Sequence, residues 1–256
     1  MNIEETKKIT LSLIDTFKKA SQVALDLRKA GLTKEIKSDN TPVSNGDLEV
    51  NKILTKKIFE ITPNIPIVSE ESSNHKTDGN LKDFWLIDPI DGTRDYINNR
   101  DEFTLNAALI FNKKPIIGII TAPAKKRIFY SYGFSNSYEL ADGNEVSLIN
   151  KKKDYEGLTS VSYSNNLKPE ILEIHKKYNI ISHQKMKSSL KFCVVAAGEF
   201  DMYVTEPRAC EWDIAAGHAI LEHAGGKLTD FNGEEVLYGK HEFKNPSLIL
   251  KNKNVF

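Results

Sequence analysis

Between Trp85 and Tyr96 the chain reads WLIDPIDGTRDY. An apolar run ends in an aspartate, a second aspartate follows three residues later, and a glycine and a threonine come next. The run predicts a short strand ending at Ile87, which delivers Asp88 to the rim of a sheet. Pro89 has no N–H to continue a ladder, so it is expected to stop the strand and fix a turn. Asp88 and Asp91 then point to one side, with the carbonyl of Ile90 between them. Gly92 lets the backbone come close to a ligand, and Thr93 opens a short helix whose unpaired N–H groups suit an anion. Hard oxygen ligands beside such a helix end describe a site for Mg2+ and a phosphate. A surface turn capped by aspartates reads the same way on this segment alone.

Three other segments weigh against the surface turn. IVSEE is a second apolar run ending in acid, at Glu70 and Glu71. CEWDIAAG puts Asp213 at the start of a small-residue helix, and SNGDLEV puts Asp47 at the start of another. Taken singly, Asp47 and Asp213 read as helix caps and Glu70 as a solvated strand end. Four acid placements at element ends are harder to dismiss together, because ligands of α/β proteins gather where strands end.

The rest of the chain sets the class. Its 256 residues suffice for one large domain or two lobes sharing a core. Lysine plus arginine equals aspartate plus glutamate, 35 each, so no charge surplus points to a nucleic acid polymer or a membrane surface. Two cysteines, Cys193 and Cys210, are too few for a disulfide framework and fit a reducing compartment. The first residues have no signal-peptide pattern, and no apolar run approaches the roughly 20 residues of a membrane span. A cytoplasmic protein is expected.

Ile9, Leu13, Phe17, Ala20, Ala24 and Leu27 form one face of a helix ended near Gly31. The turn-rich KSDNTPVSNGD leads to a second helix that buries Val50, Leu54, Ile58 and Ile61. FTLNAALIF, KPIIGIITAP and KRIFYSY predict three strands joined by short turns. A strand at GLTSVSYSNN, a helix from Pro169 to Tyr178, a helix at LKFCVVAAGEF and a strand at FDMYVT follow. WDIAAGHAILEHAGG is a helix with a glycine stop, and KLTDFNGEEV reads as a hairpin. The polar stretch between Gly133 and Lys153 is the expected boundary. It divides an N-terminal α+β lobe, 1–135, with most of the metal ligands from a C-terminal α/β lobe, 136–256, that completes the site.

The blocks KSDNTPVSNGD, IVSEE, WLIDPIDGTRDY, SSLKF and EWDIAAGHAILEHAGG run in order from about residue 37 to 230. In that order they resemble the lithium-sensitive, Mg2+-dependent phosphatase superfamily that includes inositol monophosphatase. Within it the chain is most similar to the 3'(2'),5'-bisphosphate nucleotidase branch, the CysQ-like proteins. The resemblance implies a layered αβαβα sandwich of the inositol monophosphatase and fructose-bisphosphatase type. It implies two or three Mg2+ ions held by Glu70, Asp88, the carbonyl of Ile90, Asp91 and Asp213. Asp47 and Thr93 are implied as the catalytic pair that orients and deprotonates water. The N–H groups of Gly92 and Thr93 would hold the phosphate being cleaved, with Asp213 also on the substrate side.

The implied substrate is a small-molecule phosphate ester, 3'-phosphoadenosine 5'-phosphate, cleaved to AMP by a monomer or homodimer. A bisphosphate needs a second anion site, for which Ser188 and Lys191 of KMKSSLKF and Arg208 are candidates; a solvated lysine at a helix start is the alternative reading of Lys191. The sequence also departs from the branch at YVTEPRACEWD. Thr205 stands where an arginine is usual. Glu206 stands seven residues before Asp213, where inositol monophosphatases carry a glutamate that binds a sugar hydroxyl. An inositol or sugar monophosphatase is therefore the alternative, and a non-catalytic interaction protein on the same fold is the alternative of another class.

Overall fold

The structure is a computed structural model and describes residues 1–37, 40–71, 81–149 and 156–255. Ser38 and Asp39 of the turn-rich stretch, and residues 150–153 of the expected boundary, lie outside the described residues. Helix α1 (Ile3–Ala30) starts on a capping box at Asn2 and ends at Gly31. A small ladder of β1 (Lys34–Ile36) and β2 (Pro42–Ser44) leads to α2 (Asn45–Ile61), whose capping box is made by Ser44 and Asp47. Seven strands then pair in chain order: β3 (Ile67–Ser69), β4 (Phe84–Asp91), β5 (Thr104–Phe111), β6 (Lys114–Ala122), β7 (Arg127–Ser131), β8 (Ser137–Ala141) and β9 (Asn144–Ser147). Only β3 and β4 run parallel. The short α3 (Thr93–Ile97) lies between β4 and β5.

A second sheet holds β10 (Leu158–Ser162), β11 (Ile180–Lys185), β12 (Met202–Thr205), β13 (Lys227–Thr229) and β14 (Leu248–Lys251), in the order β11-β10-β12-β14-β13. Helices α4 (Pro169–Lys177), α5 (Leu190–Ala196) and α6 (Glu211–His223) complete the chain.

Side-chain alternation on the strands sorts these elements into layers. On β4, Trp85 and Ile87 join Leu13, Phe17, Leu54 and Ile58 of α1 and α2. Phe84 and Leu86 join a second core with α5, α6 and the inner face of the second sheet. Met202, Val204 and Ile249 on the outer face of that sheet pack with Ile171 of α4. The result is the expected αβαβα sandwich. A strand covered on both faces reads as a continuous apolar run, which is why FWLI shows no alternation. The central layer is tight: a Cβ on Gly217 of α6 would lie 2.4 Å from the Phe192 side chain of α5.

Two expectations need correction. Pro89 does not end the strand; β4 runs on to Asp91 across a break in register between the pairs Asp88–Asn106 and Asp91–Thr104. A proline at such a bulge costs the ladder little. The hairpin expected at KLTDFNGEEV reduces to one bridge, Thr229–Glu235, because β13 pairs with β14 instead. The division at 135/136 falls in the turn between the paired strands β7 and β8, and the chain changes sheets only after Ser147. The stretch after Gly133 reads as a boundary because β9 is a largely exposed edge strand with a polar sequence. Among the described residues, no helix is long and apolar enough to cross a membrane.

Candidate active site

The parallel pair β3 and β4 brings two acids to one rim. The chain leaves β3 at Glu70, whose N–H donates to the Ile87 carbonyl at 3.1 Å. Asp88 and Asp91 flank the bulge of β4, and the first turn of α6 brings Asp213 to them. Asp88, Asp91 and Asp213 each offer an oxygen within 4.8 Å of the other two. The Cys210 N–H donates to Asp213 Oδ2 at 2.7 Å, and the Ser189 N–H donates to Asp91 Oδ2.

This clustering is costly without a counter-charge. Burial, with the charges of Glu70, Asp91 and Asp213, pushes the Asp88 carboxyl well above the usual range. Burial and the charges of Asp91 and Glu70 raise Asp213 to about 8. Burial raises Asp91 to about 6 although the Lys191 ammonium opposes it. Asp88 Oδ1 is buried and makes no hydrogen bond among the described residues. An orphaned carboxylate oxygen in an all-oxygen cluster fits a hard divalent cation, which would satisfy it and cancel the repulsion. Lys37 supplies part of the counter-charge at the edge, 3.5 Å from Glu70 Oε1 and 2.6 Å from Glu71 Oε1.

Asp47 lies at the third position of α2 and is almost wholly buried. Its Oδ2 accepts from the Ser44 N–H at 2.8 Å and the Ser44 hydroxyl at 2.5 Å, and its Oδ1 accepts from the Thr93 hydroxyl at 2.9 Å. That hydroxyl is also 2.9 Å from the Ile90 carbonyl. It has one proton and serves one acceptor at a time, while its lone pairs can receive a water proton. Burial raises the Asp47 carboxyl above the ordinary range despite these donors, the direction that suits a proton acceptor. Gly92 joins Asp91 to Thr93 in a left-handed conformation, φ 91°. A Cβ there would lie 2.9 Å from the Glu102 carbonyl oxygen, so the turn requires glycine.

Glu70, Asp88, Ile90, Asp91, Gly92, Thr93 and Asp213 line a pocket of about 390 Å3, and Asp47 reaches it through the Thr93 hydroxyl. Lys187, Ser188, Lys191, Tyr163, Tyr203 and Arg208 line the same pocket. Lys191 is not the solvated lysine its position at a helix start suggests. It is buried, its ammonium donates to the Ser188 carbonyl, and it lies 5.3 Å from the Tyr203 ring centroid. Burial lowers its pKa to about 8 in spite of Asp91.

Glu206 departs from expectation. It does not line the pocket; its Oε1 accepts from the Tyr163 hydroxyl at 2.7 Å and lies 3.2 Å from the Lys168 ammonium. The sequence reading passed over Lys187, Arg94, Tyr163 and Tyr203, which all line the pocket. Tyr163 had a usable signal, since it follows β10 as Glu70 follows β3. Lys187 stood beside Ser188 in a segment already singled out.

Residues 5–254 match the inositol monophosphatase family. The 3'(2'),5'-bisphosphate nucleotidase CysQ of Buchnera aphidicola subsp. Acyrthosiphon pisum is 37% identical over 205 residues, 79% of this chain and 76% of its own. CysQ of Escherichia coli K12 is 31% identical over 212 residues, 82% of this chain and 85% of its own. Among solved structures, CysQ from Bacteroides thetaiotaomicron matches with a TM-score of 0.74 at 28% identity, covering 95% of this chain and 96% of its own. An IMPase/NADP phosphatase complexed with Mg2+ and phosphate shares the fold, with a TM-score of 0.77 at 18% identity over 98% of this chain and 92% of its own.

Proposed function

The chain belongs to the inositol monophosphatase family, and on that premise we propose that it is a Mg2+-dependent 3'(2'),5'-bisphosphate nucleotidase. It hydrolyses 3'-phosphoadenosine 5'-phosphate to AMP and inorganic phosphate. The observation that carries this substrate is a single pocket lined both by the carboxylates Glu70, Asp88, Asp91 and Asp213 and by the cations Lys187, Lys191 and Arg208. A monophosphate leaves the cations without an anion, whereas a bisphosphate meets both groups. The nucleotidase relatives at 31% and 37% identity support the same reading. Glu206, tied to Tyr163 and Lys168, speaks against an inositol-type hydroxyl contact.

In this reading Glu70, Asp88, Asp91, Asp213 and the Ile90 carbonyl would hold two or three Mg2+ ions, which would supply charge neutralisation for the phosphate and a more acidic water. Thr93 and Asp47 orient the attacking water, and Asp47 takes its proton. The N–H groups of Gly92 and Thr93 cradle the 3'-phosphate, and Ser188, Lys191 and Arg208 hold the 5'-phosphate.

Phosphate release from 3'-phosphoadenosine 5'-phosphate and from inositol 1-phosphate, with and without Mg2+, tests this. The bisphosphate is the better substrate, and release requires the metal. A charge-assisted contact contributes about 1.5–3 kcal/mol, so Lys191→Ala lowers kcat/KM for the bisphosphate roughly ten- to a hundredfold and that for inositol 1-phosphate much less. Equal losses on both substrates, or a preference for inositol 1-phosphate, would overturn the nucleotidase reading.

A further inference from the structure

We infer that Glu206 is a positioning residue for substrate choice: through Tyr163 it holds the Arg208 guanidinium at the pocket, where the uncleaved phosphate binds. The inference rests on the bisphosphate reading and deepens it.

The chain of contacts runs in one direction. Lys168, at the start of α4, lies 3.2 Å from Glu206 Oε1. The same oxygen accepts from the Tyr163 hydroxyl at 2.7 Å. The Arg208 guanidinium carbon lies 3.9 Å from the centroid of the Tyr163 ring. Lys187 reaches the segment from the other side, its ammonium donating to the Tyr163 carbonyl at 3.2 Å. Tyr163, Lys187 and Arg208 line the pocket, whereas Glu206 and Lys168 stand behind them.

This geometry suits a phosphate. A guanidinium stacked on an aromatic face uses its π surface for the contact and leaves its N–H donors free at the edge. Arg208 is exposed and would otherwise sample many rotamers. The ring restricts it, but the ring can turn unless its hydroxyl is tethered. Glu206 is the tether, and Lys168 fixes Glu206. The second carboxylate oxygen, Oε2, is buried and makes no hydrogen bond among the described residues.

The test is a double-mutant cycle read on both 3'-phosphoadenosine 5'-phosphate and inositol 1-phosphate, with thermal melts of each variant. Losing one tethering hydrogen bond corresponds to roughly a three- to tenfold effect. Glu206→Ala should raise KM for the bisphosphate by about that factor, with kcat changed less than about twofold and KM for inositol 1-phosphate unmoved. Tyr163→Phe, which keeps the ring and loses the hydroxyl, should do the same. In an Arg208→Ala background Glu206→Ala should add nothing, because its only route to substrate is gone. Multiplying losses in the double variant, or equal KM changes on the two substrates, would overturn the positioning role. A wild-type preference for inositol 1-phosphate would bring down the nucleotidase reading and this inference together. A wild-type preference for the bisphosphate with an unchanged KM in Glu206→Ala would bring down the inference alone.

Discussion

The carboxylates and the cations that line the pocket are built on different kinds of support. The carboxylates stand on the bulged end of β4, the end of β3 and the first turns of α2 and α6. Asp47 and Asp88 are almost wholly buried there, and every aspartate among them has its direction set by a ladder, a capping box or a backbone N–H. Of the cations, Lys191 stands in the first turn of α5, but Lys187 precedes α5 and Arg208 lies beyond β12, stacked on Tyr163, which follows β10. Arg208 is held by a ring and a second layer of side chains rather than by main-chain pairing. Rigid elements keep reacting groups in register, and loops tolerate change. On the proposed reading the first group would serve any phosphate ester, while the second would decide which ester is taken.

The sharpest way to break this division is Asp91→Ala. The variant should fold and lose Mg2+-dependent phosphate release, because Asp91 is one of the three carboxylates that converge in the oxygen cluster. Removing one of several crowded carboxylates should raise the melting temperature in EDTA, while the upward shift that Mg2+ gives the wild type should shrink. A kcat near wild type at saturating Mg2+ would remove Asp91 from the metal site and leave the comparison without its first member.

A second change tests whether the rigid group contains one water-handling unit. Thr93→Ala and Asp47→Asn should each lower kcat by roughly a hundredfold or more, as expected of positioned acid–base groups. KM should move little, since neither residue reaches the cations. The 2.9 Å contact between Thr93 Oγ1 and Asp47 Oδ1 implies a shared task. The double variant should then lose little more than either single one. Losses that multiply in full would mean the two residues act on different molecules.

The same division explains what could be read from the sequence. WLIDPIDGTRDY is contiguous, so one strand end and one turn fix Asp88, Ile90, Asp91, Gly92 and Thr93 relative to each other, and the spacing alone suffices. Even an error there did no harm: the strand continues past Pro89, yet the bulge still brings both aspartates into the cluster. The cations and Tyr163 come from three separated segments, and no local pattern reports their meeting. Lys191 could be named from KMKSSLKF as a candidate for the second anion, but not its burial, which comes from elsewhere in the fold and lowers its pKa. Glu206 stood at the right distance in sequence from Asp213 to bind a sugar, but its direction is set by Tyr163 and Lys168. The β8–β9 hairpin was missed for a related reason, since a polar edge strand leaves little hydrophobic pattern.

The gentlest test uses pH and the metal-free protein, and it sets the two groups against each other in different windows. Asp91 at about 6 and Asp213 at about 8 lie above the ordinary 3.8 of an aspartate. The folded chain thus binds more protons than the unfolded one between these limits, and stability falls as pH rises. The contribution is fully present near pH 4 and is lost by about pH 8. Lys191 at about 8 lies below the ordinary 10.5 of a lysine. Above pH 8 the unfolded chain binds the extra proton, so this residue contributes a rise in stability between about 8 and 10.5. In EDTA the carboxylates should lower the melting temperature from pH 5 to 8, at roughly 2–4 °C per kcal/mol lost. Asp213→Asn should flatten that limb, and Lys191→Met should leave it in place while removing the upturn above pH 8. Mg2+ should flatten the falling limb in the wild type, because binding favours the deprotonated carboxylates. Buried His223, lowered to about 4, and His175 add an opposing rise below the ordinary 6.5 of a histidine, so the carboxylates are read from the difference: a pH 5 to 8 profile that Asp213→Asn leaves unchanged would mean that they are not forced together as the geometry implies. A limb flattened by Lys191→Met instead of Asp213→Asn would mean that the two groups titrate as one.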